Sequence, residues 1–146
     1  MRKKVNCVLI LDDDRVHNFI AALAIRKTGL TDHVHTVYNG SDGIKFINEY
    51  RKKNGVSPSM IFLDINMPVM DGIEFIEAYN RQDIQKRGKE GAIAIMTLVP
   101  KQDKEKLEQW GLKAFIPKPI TKESVIEFYK MYHESIDKGS SNNLLV

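Results

Sequence analysis

The stretch MIFLDINMPVMDG, at residues 60–72, contains the strongest structural signal in this chain. Its first four residues are apolar and follow a proline-containing loop, which predicts a short buried strand over residues 60–63. Asp64 comes directly after that strand, and a loop with Pro68 and Gly72 leads into apolar residues at helical spacing. A buried strand, a loop and a helix in this order are typical of one unit of a parallel α/β sheet.

On both sides of this stretch, further short apolar runs alternate with amphipathic segments. They predict strands over residues 5–11, 33–38, 92–96 and 114–116. The segment after the first strand has apolar residues at helical spacing before Gly29, namely Val16, Phe19, Ile20, Leu23 and Ala24. Asp14, Asp71 and Thr121 are predicted to cap helices. The pattern therefore predicts five strand–helix units of the α/β class in one domain.

The composition is that of a single soluble domain. The chain has 146 residues, and 22 basic against 19 acidic residues give a net charge of +3, with no clustered basic face of the kind that binds nucleic acid. The single cysteine, Cys7, is expected to be buried and inert. With neither a signal peptide nor an apolar run of about 20 residues, we expect a cytoplasmic protein. Residues 1–137 are expected to form the domain and residues 138–146 a flexible tail, without an effector domain.

Polar residues recur where the predicted strands end. Asp12 and Asp13 follow the first strand, Asp64 follows the third, Thr97 closes the fourth, and Lys118 comes just after the fifth. The carboxyl ends of parallel strands lie at one edge of the sheet, where open α/β folds bind ligands. Four chain segments are therefore predicted to bring three carboxylates, a hydroxyl and an ammonium group together.

This set of side chains suits phosphoryl transfer assisted by a divalent metal. Three close carboxylates repel one another, and oxygen ligands without His or Cys favour Mg²⁺ or Mn²⁺. Asp64 would attack phosphorus, while Lys118 and Thr97 would bind the phosphoryl oxygens. Taken singly, each residue has an ordinary structural role, because a carboxylate after a strand commonly caps a turn. Their coincidence at four strand ends favours the functional interpretation.

These residues resemble the receiver domains of two-component response regulators over about residues 5–136. The similarity is carried by LILDDD at residues 9–14, FLDINMPVMDG at 62–72, IMT at 95–97 and FIPKP at 115–119. It implies a doubly wound, five-stranded parallel sheet with strand order 2-1-3-4-5, in a flavodoxin-like three-layer sandwich.

The resemblance also implies roles for individual residues. Asp64 would be the phosphoacceptor, Asp13 a direct metal ligand and Asp12 a ligand through water, with the backbone carbonyl of Asn66 as a further ligand. Lys118 would bridge to Asp64 or to its phosphoryl oxygens, and the peptide bond between Lys118 and Pro119 would be cis.

A conformational switch is implied as well. Thr97 and Phe115 would form the switch pair, in which the hydroxyl moves to the phosphoryl group and the aromatic ring turns inward behind it. The chain would then be a stand-alone receiver and not an enzyme, a phospho-accepting signalling domain that assists only its own phosphorylation and dephosphorylation. Its phosphoryl donor would be a sensor histidine kinase or a histidine phosphotransfer protein, and its output would be contact with a protein, not with nucleic acid or a membrane.

The sequence departs from the family pattern in two places. Leu98 stands where the family has a small residue, so we expect it to narrow access to Asp64, and Pro117 before Lys118 is unusual.

Three alternative interpretations of the sequence remain. A haloacid dehalogenase-type phosphatase would need an acidic residue where Asn66 stands. A flavodoxin-like binding module would need a phosphate-binding loop after the first strand. A degenerate receiver that serves only for docking is the third alternative.

Overall fold

Strands and helices alternate along the chain as predicted. The computed structural model describes residues 2–81, 91–96 and 99–137, except for the side chains of residues 134–137. The strands within these ranges are β1 (Val8–Leu11), β2 (Val34–Val37), β3 (Met60–Leu63), β4 (Ala92–Ile95) and β5 (Ala114–Phe115). The helices are α1 (Arg15–Thr28), α2 (Gly40–Asn54), α3 (Gly72–Asn80), α4 (Lys101–Gln109) and α5 (Lys122–Asp137). Thr97, Leu98 and the predicted tail at 138–146 lie outside the described residues.

The sheet has the topology implied by the resemblance. All its pairings are parallel, and the strand order is β2-β1-β3-β4-β5, which confirms the predicted fold. Leu11 is aligned with Val37 on one side and with Leu63 on the other. Leu63 is aligned in turn with Ile95. The last residues of four strands therefore lie at one level, and the residues after them leave the sheet at the same edge.

Alternating strand residues face two separate hydrophobic cores. On one face, Ile10 and Phe62 pack with α1 and α5, and Phe62 makes an edge-on contact with Phe128 at 5.3 Å between ring centroids. On the other face, Leu11 and Leu63 pack with α2, α3 and α4. Helices cover both sides of the sheet, and its three central strands β1, β3 and β4 are fully buried, as a three-layer parallel arrangement requires. No helix in the described ranges is long and apolar enough to cross a membrane.

Helix α1 begins as predicted but presents an unexpected face to the core. The Asp14 carboxylate accepts hydrogen bonds from the backbone N–H groups of Val16 and His17, and Gly29 ends the helix at φ 70°. Most of the apolar residues that defined the predicted helix point to solvent: Val16 and Phe19 are each 69% exposed, Ile20 40% and Leu23 43%. The buried face consists instead of His17, Asn18, Ala21, Ala22, Ala24 and Ile25.

Other local predictions are also confirmed. Asp71 and Glu74 form a reciprocal capping box at the start of α3, and the Thr121 hydroxyl accepts the N–H of Ser124 at the start of α5. Cys7 is fully buried, and this burial raises the pKa of its thiol to about 12, which leaves it almost entirely protonated near neutral pH.

Gly72 fixes the path of the loop that follows Asp64. Its N–H donates to the Ile65 carbonyl at 2.9 Å. A Cβ at this position would lie 2.6 Å from the Ile65 Cα and 2.7 Å from the Asp64 carbonyl oxygen, both of which are backbone atoms that cannot move aside independently. Only glycine therefore allows α3 to start this close to the end of β3.

We predict that Gly72→Ala lowers the free energy of unfolding by about 2 to 3 kcal/mol, because the added methyl group displaces the backbone beside Asp64. Gly55→Ala is the matched control. Gly55 has φ 77° and nothing within 4 Å of an added Cβ. Gly55→Ala should therefore lower the free energy of unfolding by only about 1 kcal/mol, through backbone strain alone. Urea denaturation of both variants measures the difference, and equal losses would contradict the close approach at Gly72.

Candidate functional site

The ends of β1 and β3 place a cluster of carboxylates at the predicted edge of the sheet. The Asp64 N–H donates to the Leu11 carbonyl at 2.9 Å, so the ladder between these strands continues into the site. Asp12 is fully buried, Asp64 is 3% exposed and Asp13 faces solvent. One oxygen from each of these three residues lies within 4.8 Å of the others. This spacing suits ligands that share one cation, because hard cations such as Mg²⁺ take carboxylate oxygens.

Lys118 joins the two buried carboxylates. Its Nζ lies 2.8 Å from Asp12 Oδ2 and 3.1 Å from Asp64 Oδ2. Burial alone would lower the pKa of Lys118, but hydrogen bonds and charge interactions with the two carboxylates outweigh it and raise this pKa. The side chain therefore keeps its positive charge. The peptide bond from Lys118 to Pro119 is cis, as the resemblance implied.

Asp12 is held at both carboxylate oxygens. Oδ1 accepts the N–H of Asp14 at 2.9 Å, while Oδ2 receives Lys118. Burial raises the pKa of Asp12, and the neighbouring Asp64 acts in the same direction. Lys118 and the Asp14 N–H oppose this rise. The charged form of Asp12 thus depends on the donors around it.

The loop after β3 forms one wall of the site. The Asn66 N–H donates to Asp64 Oδ1 at 3.0 Å, which orients the carboxylate. Val69 adopts φ 69°, a left-handed conformation that costs a β-branched residue energy, and it is 84% exposed. Beside the loop lies an open cavity of about 650 Å³, which Asp13 and Asn66 help to line. A small charged group in this cavity would lie beside the Asp13 carboxylate, the solvent-facing member of the cluster.

His17, which the sequence interpretation did not identify, belongs to the site. It is 5% exposed, and its Nδ1 lies 2.7 Å from Asp12 Oδ2. Its Nε2 is 3.3 Å from the backbone N of Ile120, in the loop that follows Lys118. The signal available in the sequence was weak: a histidine in the first turn of the helix that begins after the acidic residues.

Phe115 ends β5 and is half-buried, and the Lys104 ammonium of α4 lies 5.2 Å from its ring centroid. Its proposed partner Thr97 is outside the described residues. The structure brings together Asp12, Asp13, Asp64 and Lys118, while their chemical roles stay predictions. The arrangement offers a carboxylate nucleophile, a fixed cation and oxygen ligands for a metal, which are the groups that phosphoryl transfer needs.

Comparisons with known proteins agree on one family. The sequence profile of the response regulator receiver domain matches residues 8–130. Hybrid signal transduction histidine kinase L of Dictyostelium discoideum is 32% identical over 136 residues, which are 89% of this chain but only 7% of that kinase. Polar-differentiation response regulator DivK of Brucella anthropi is 28% identical over 125 residues, 86% of this chain and 94% of that protein.

A solved structure gives the same result. The crystal structure of a two-component response regulator from Cytophaga hutchinsonii superposes with a TM-score of 0.79 at 27% sequence identity. The match covers 90% of this chain and 99% of that one. The chain thus corresponds to a small part of the hybrid kinase and to nearly all of the two regulators.

We predict that Lys118→Met lowers the free energy of unfolding by about 3 kcal/mol at pH 7, because it leaves two buried carboxylates without their cation. Loss of Lys118 would raise the pKa of Asp12 further. Protonation of Asp12 on acidification should then relieve the repulsion, so the deficit relative to the wild type shrinks from pH 7 to pH 5. Urea denaturation of the variant and the wild type in EDTA, at both pH values, measures this difference in the free energy of unfolding. A deficit that grew on acidification would contradict this account.

Proposed function

The chain belongs to the response regulator receiver domain family, and on that premise we propose that Asp64 accepts a phosphoryl group from a phosphohistidine on a partner protein. The observation that carries this proposal is the position of Asp64, which is buried beside Asp12 and Asp13 with the Lys118 ammonium 3.1 Å from one of its oxygens. A nucleophilic carboxylate needs such a cation, because the incoming phosphoryl group brings further negative charge.

In the proposed step, an Asp64 oxygen attacks phosphorus and forms an O–P bond while the N–P bond to the donor imidazole breaks. The electron pair of that bond returns to the imidazole nitrogen, which takes a proton from solvent. Lys118 follows the phosphoryl oxygens, and the Asn66 N–H keeps the carboxylate oriented. The domain assists only its own phosphorylation and dephosphorylation and acts on no separate substrate.

Mg²⁺ or Mn²⁺ is the proposed cofactor. Asp12, Asp13, Asp64 and the backbone carbonyl of Asn66 would hold it, and the convergence of three carboxylate oxygens within 4.8 Å supports this assignment. When bound, the metal would supply positive charge to the phosphoryl oxygens during transfer.

The phosphohistidine donor, on a sensor histidine kinase or a histidine phosphotransfer protein, is proposed to dock on the apolar face of α1. This face consists of the exposed residues Val16, Phe19, Ile20 and Leu23. It starts directly after Asp12 and Asp13, so a helical partner that covers it also reaches the phosphorylation site. Exposed apolar stripes at this spacing are typical of helix-to-helix recognition.

Output is proposed to pass through Thr97 and Phe115 to a protein partner. On phosphorylation the Thr97 hydroxyl would turn to the phosphoryl group and the Phe115 ring would move inward, away from the Lys104 ammonium. The half-buried position of this ring at the end of β5, beside the Lys104 ammonium, supports the proposal that it is the moving aromatic group. Such a two-state change would alter the surface of α4, β5 and α5.

We also propose that residues 1–137 act without an attached effector domain, as the size of the matched DivK regulator suggests.

We predict that the wild type gains the mass of one phosphoryl group on incubation with phosphoramidate and Mg²⁺, because Asp64 is the nucleophile. Asp64→Asn should gain none, and omission of Mg²⁺ should suppress the gain in the wild type. Intact-protein mass spectrometry measures all three samples. A wild type that stays unmodified would favour the docking-only receiver, and a modified Asp64→Asn protein would place the acceptor elsewhere.

We predict that Phe19→Ala slows phosphotransfer from a histidine kinase by about 10-fold or more, which corresponds to 1.4 kcal/mol of lost contact. Kinases that phosphorylate the wild type are first selected from an autophosphorylated panel. Radiolabelled transfer from those kinases is then followed in time. The matched control is the same variant with phosphoramidate, whose rate should be unchanged because a small donor needs no docking face. Equal slowing with both donors would contradict a docking role for α1.

A further inference from the structure

We propose that His17 is a positioning residue for phosphoryl transfer: it holds the Asp12 carboxylate in its metal-binding orientation and ties it to the loop that carries Lys118. This inference rests on the proposed function. It starts from a buried imidazole that makes two directed contacts, to Asp12 Oδ2 at 2.7 Å and to the Ile120 N–H at 3.3 Å. Phosphoryl transfer as described above uses neither of them.

The two contacts assign the tautomer of the His17 ring. A backbone N–H can only donate, so Nε2 must accept the hydrogen bond from Ile120 through its lone pair. In a neutral imidazole the proton then lies on Nδ1, which points at Asp12 Oδ2. His17 therefore donates to the carboxylate. The other ring nitrogen, held by the backbone, fixes the direction of this donation.

His17 matters most when Lys118 moves. In the resting protein, Asp12 Oδ2 receives both Lys118 at 2.8 Å and His17 at 2.7 Å. In the proposed function the ammonium of Lys118 follows the phosphoryl oxygens and loosens its hold on Asp12. His17 would then keep the carboxylate oriented through the rest of the cycle. A ligating carboxylate generally depends on such an outer hydrogen bond for its orientation.

The same ring links two parts of the site that are distant in sequence. Ile120 comes two residues after Lys118, so the bond to His17 fixes the loop from which the ammonium projects. The neighbouring Asn18 donates its side-chain N–H to the backbone carbonyl of Asp12 at 2.6 Å. The start of α1 thus holds both the backbone and the side chain of Asp12, while it also anchors the Lys118 loop.

Three substitutions separate the two contacts of His17. His17→Met removes both, His17→Asn keeps an N–H at the position of Nδ1, and His17→Gln keeps an acceptor at the position of Nε2. We expect His17→Met and His17→Gln to bind Mg²⁺ about 10-fold more weakly than the wild type, as is usual when an outer-shell partner is lost. His17→Asn should remain within about 3-fold of the wild type, because its amide can still donate to Asp12. Isothermal titration calorimetry with Mg²⁺, without phosphodonor, measures each Kd.

Tyr79→Phe serves as the control for general loss of stability. It removes a buried hydroxyl that contacts the Ser57 Oγ and the Gly91 N–H, each at 3.3 Å, at the opposite ends of β3 and β4. This variant should bind Mg²⁺ as the wild type does. Equal weakening in Tyr79→Phe and His17→Met would overturn the positioning role, as would His17→Met with wild-type affinity.

The rescue pattern provides the decisive test. If His17→Gln kept the wild-type affinity for Mg²⁺ and His17→Asn lost it, the contact with Ile120 would matter and the donation to Asp12 would not. That result would contradict the proposal. ¹⁵N NMR of the wild-type imidazole should show the proton on Nδ1, and a proton on Nε2 would also overturn it. A wild type that binds no Mg²⁺ would refute the proposed metal and the positioning role together, whereas differences among the variants test His17 alone.

Discussion

The ammonium group of Lys118, placed between the carboxylates of Asp12 and Asp64, is the contact on which this end of the molecule depends. Both carboxylates are almost completely buried, so bulk water screens their repulsion poorly. The sheet register brings them together regardless of this cost, because Leu11 and Leu63 are aligned and the chain turns out of the sheet immediately afterwards. A cation from a third segment offsets this repulsion, because its ammonium lies 2.8 Å from one carboxylate and 3.1 Å from the other.

Much of this site could be predicted from sequence because the polar residues directly follow apolar runs. In a parallel sheet, the end of a strand determines the edge at which the next residue lies. Asp12, Asp64 and Lys118 therefore converge in the structure as the pattern indicated. The strand order required more than periodicity. It came from the resemblance to receiver domains, and the structure has the same order.

Two features could not be predicted, for different physical reasons. Apolar spacing identified α1 as a helix, but the small residues Ala21 and Ala22 face the sheet, because they let the helix pack closely, and the larger apolar residues face outward. Periodicity alone does not show which apolar face of a helix is buried in the core and which is exposed. His17 was missed because its role depends on Ile120, which is distant in sequence and lies on another element.

The wide spacing of the cluster residues along the sequence has a consequence for synthesis of the protein. The cluster draws its members from residue 12 to residue 118, so any shorter nascent chain lacks at least one of them. Until the ribosome has translated residue 118, Asp64 is present but has no Lys118 beside it. In the proposed function, competence for phosphoryl transfer would therefore arise late, together with completion of the sheet. Nascent chains that still lack Lys118 would then not draw phosphate from the donor.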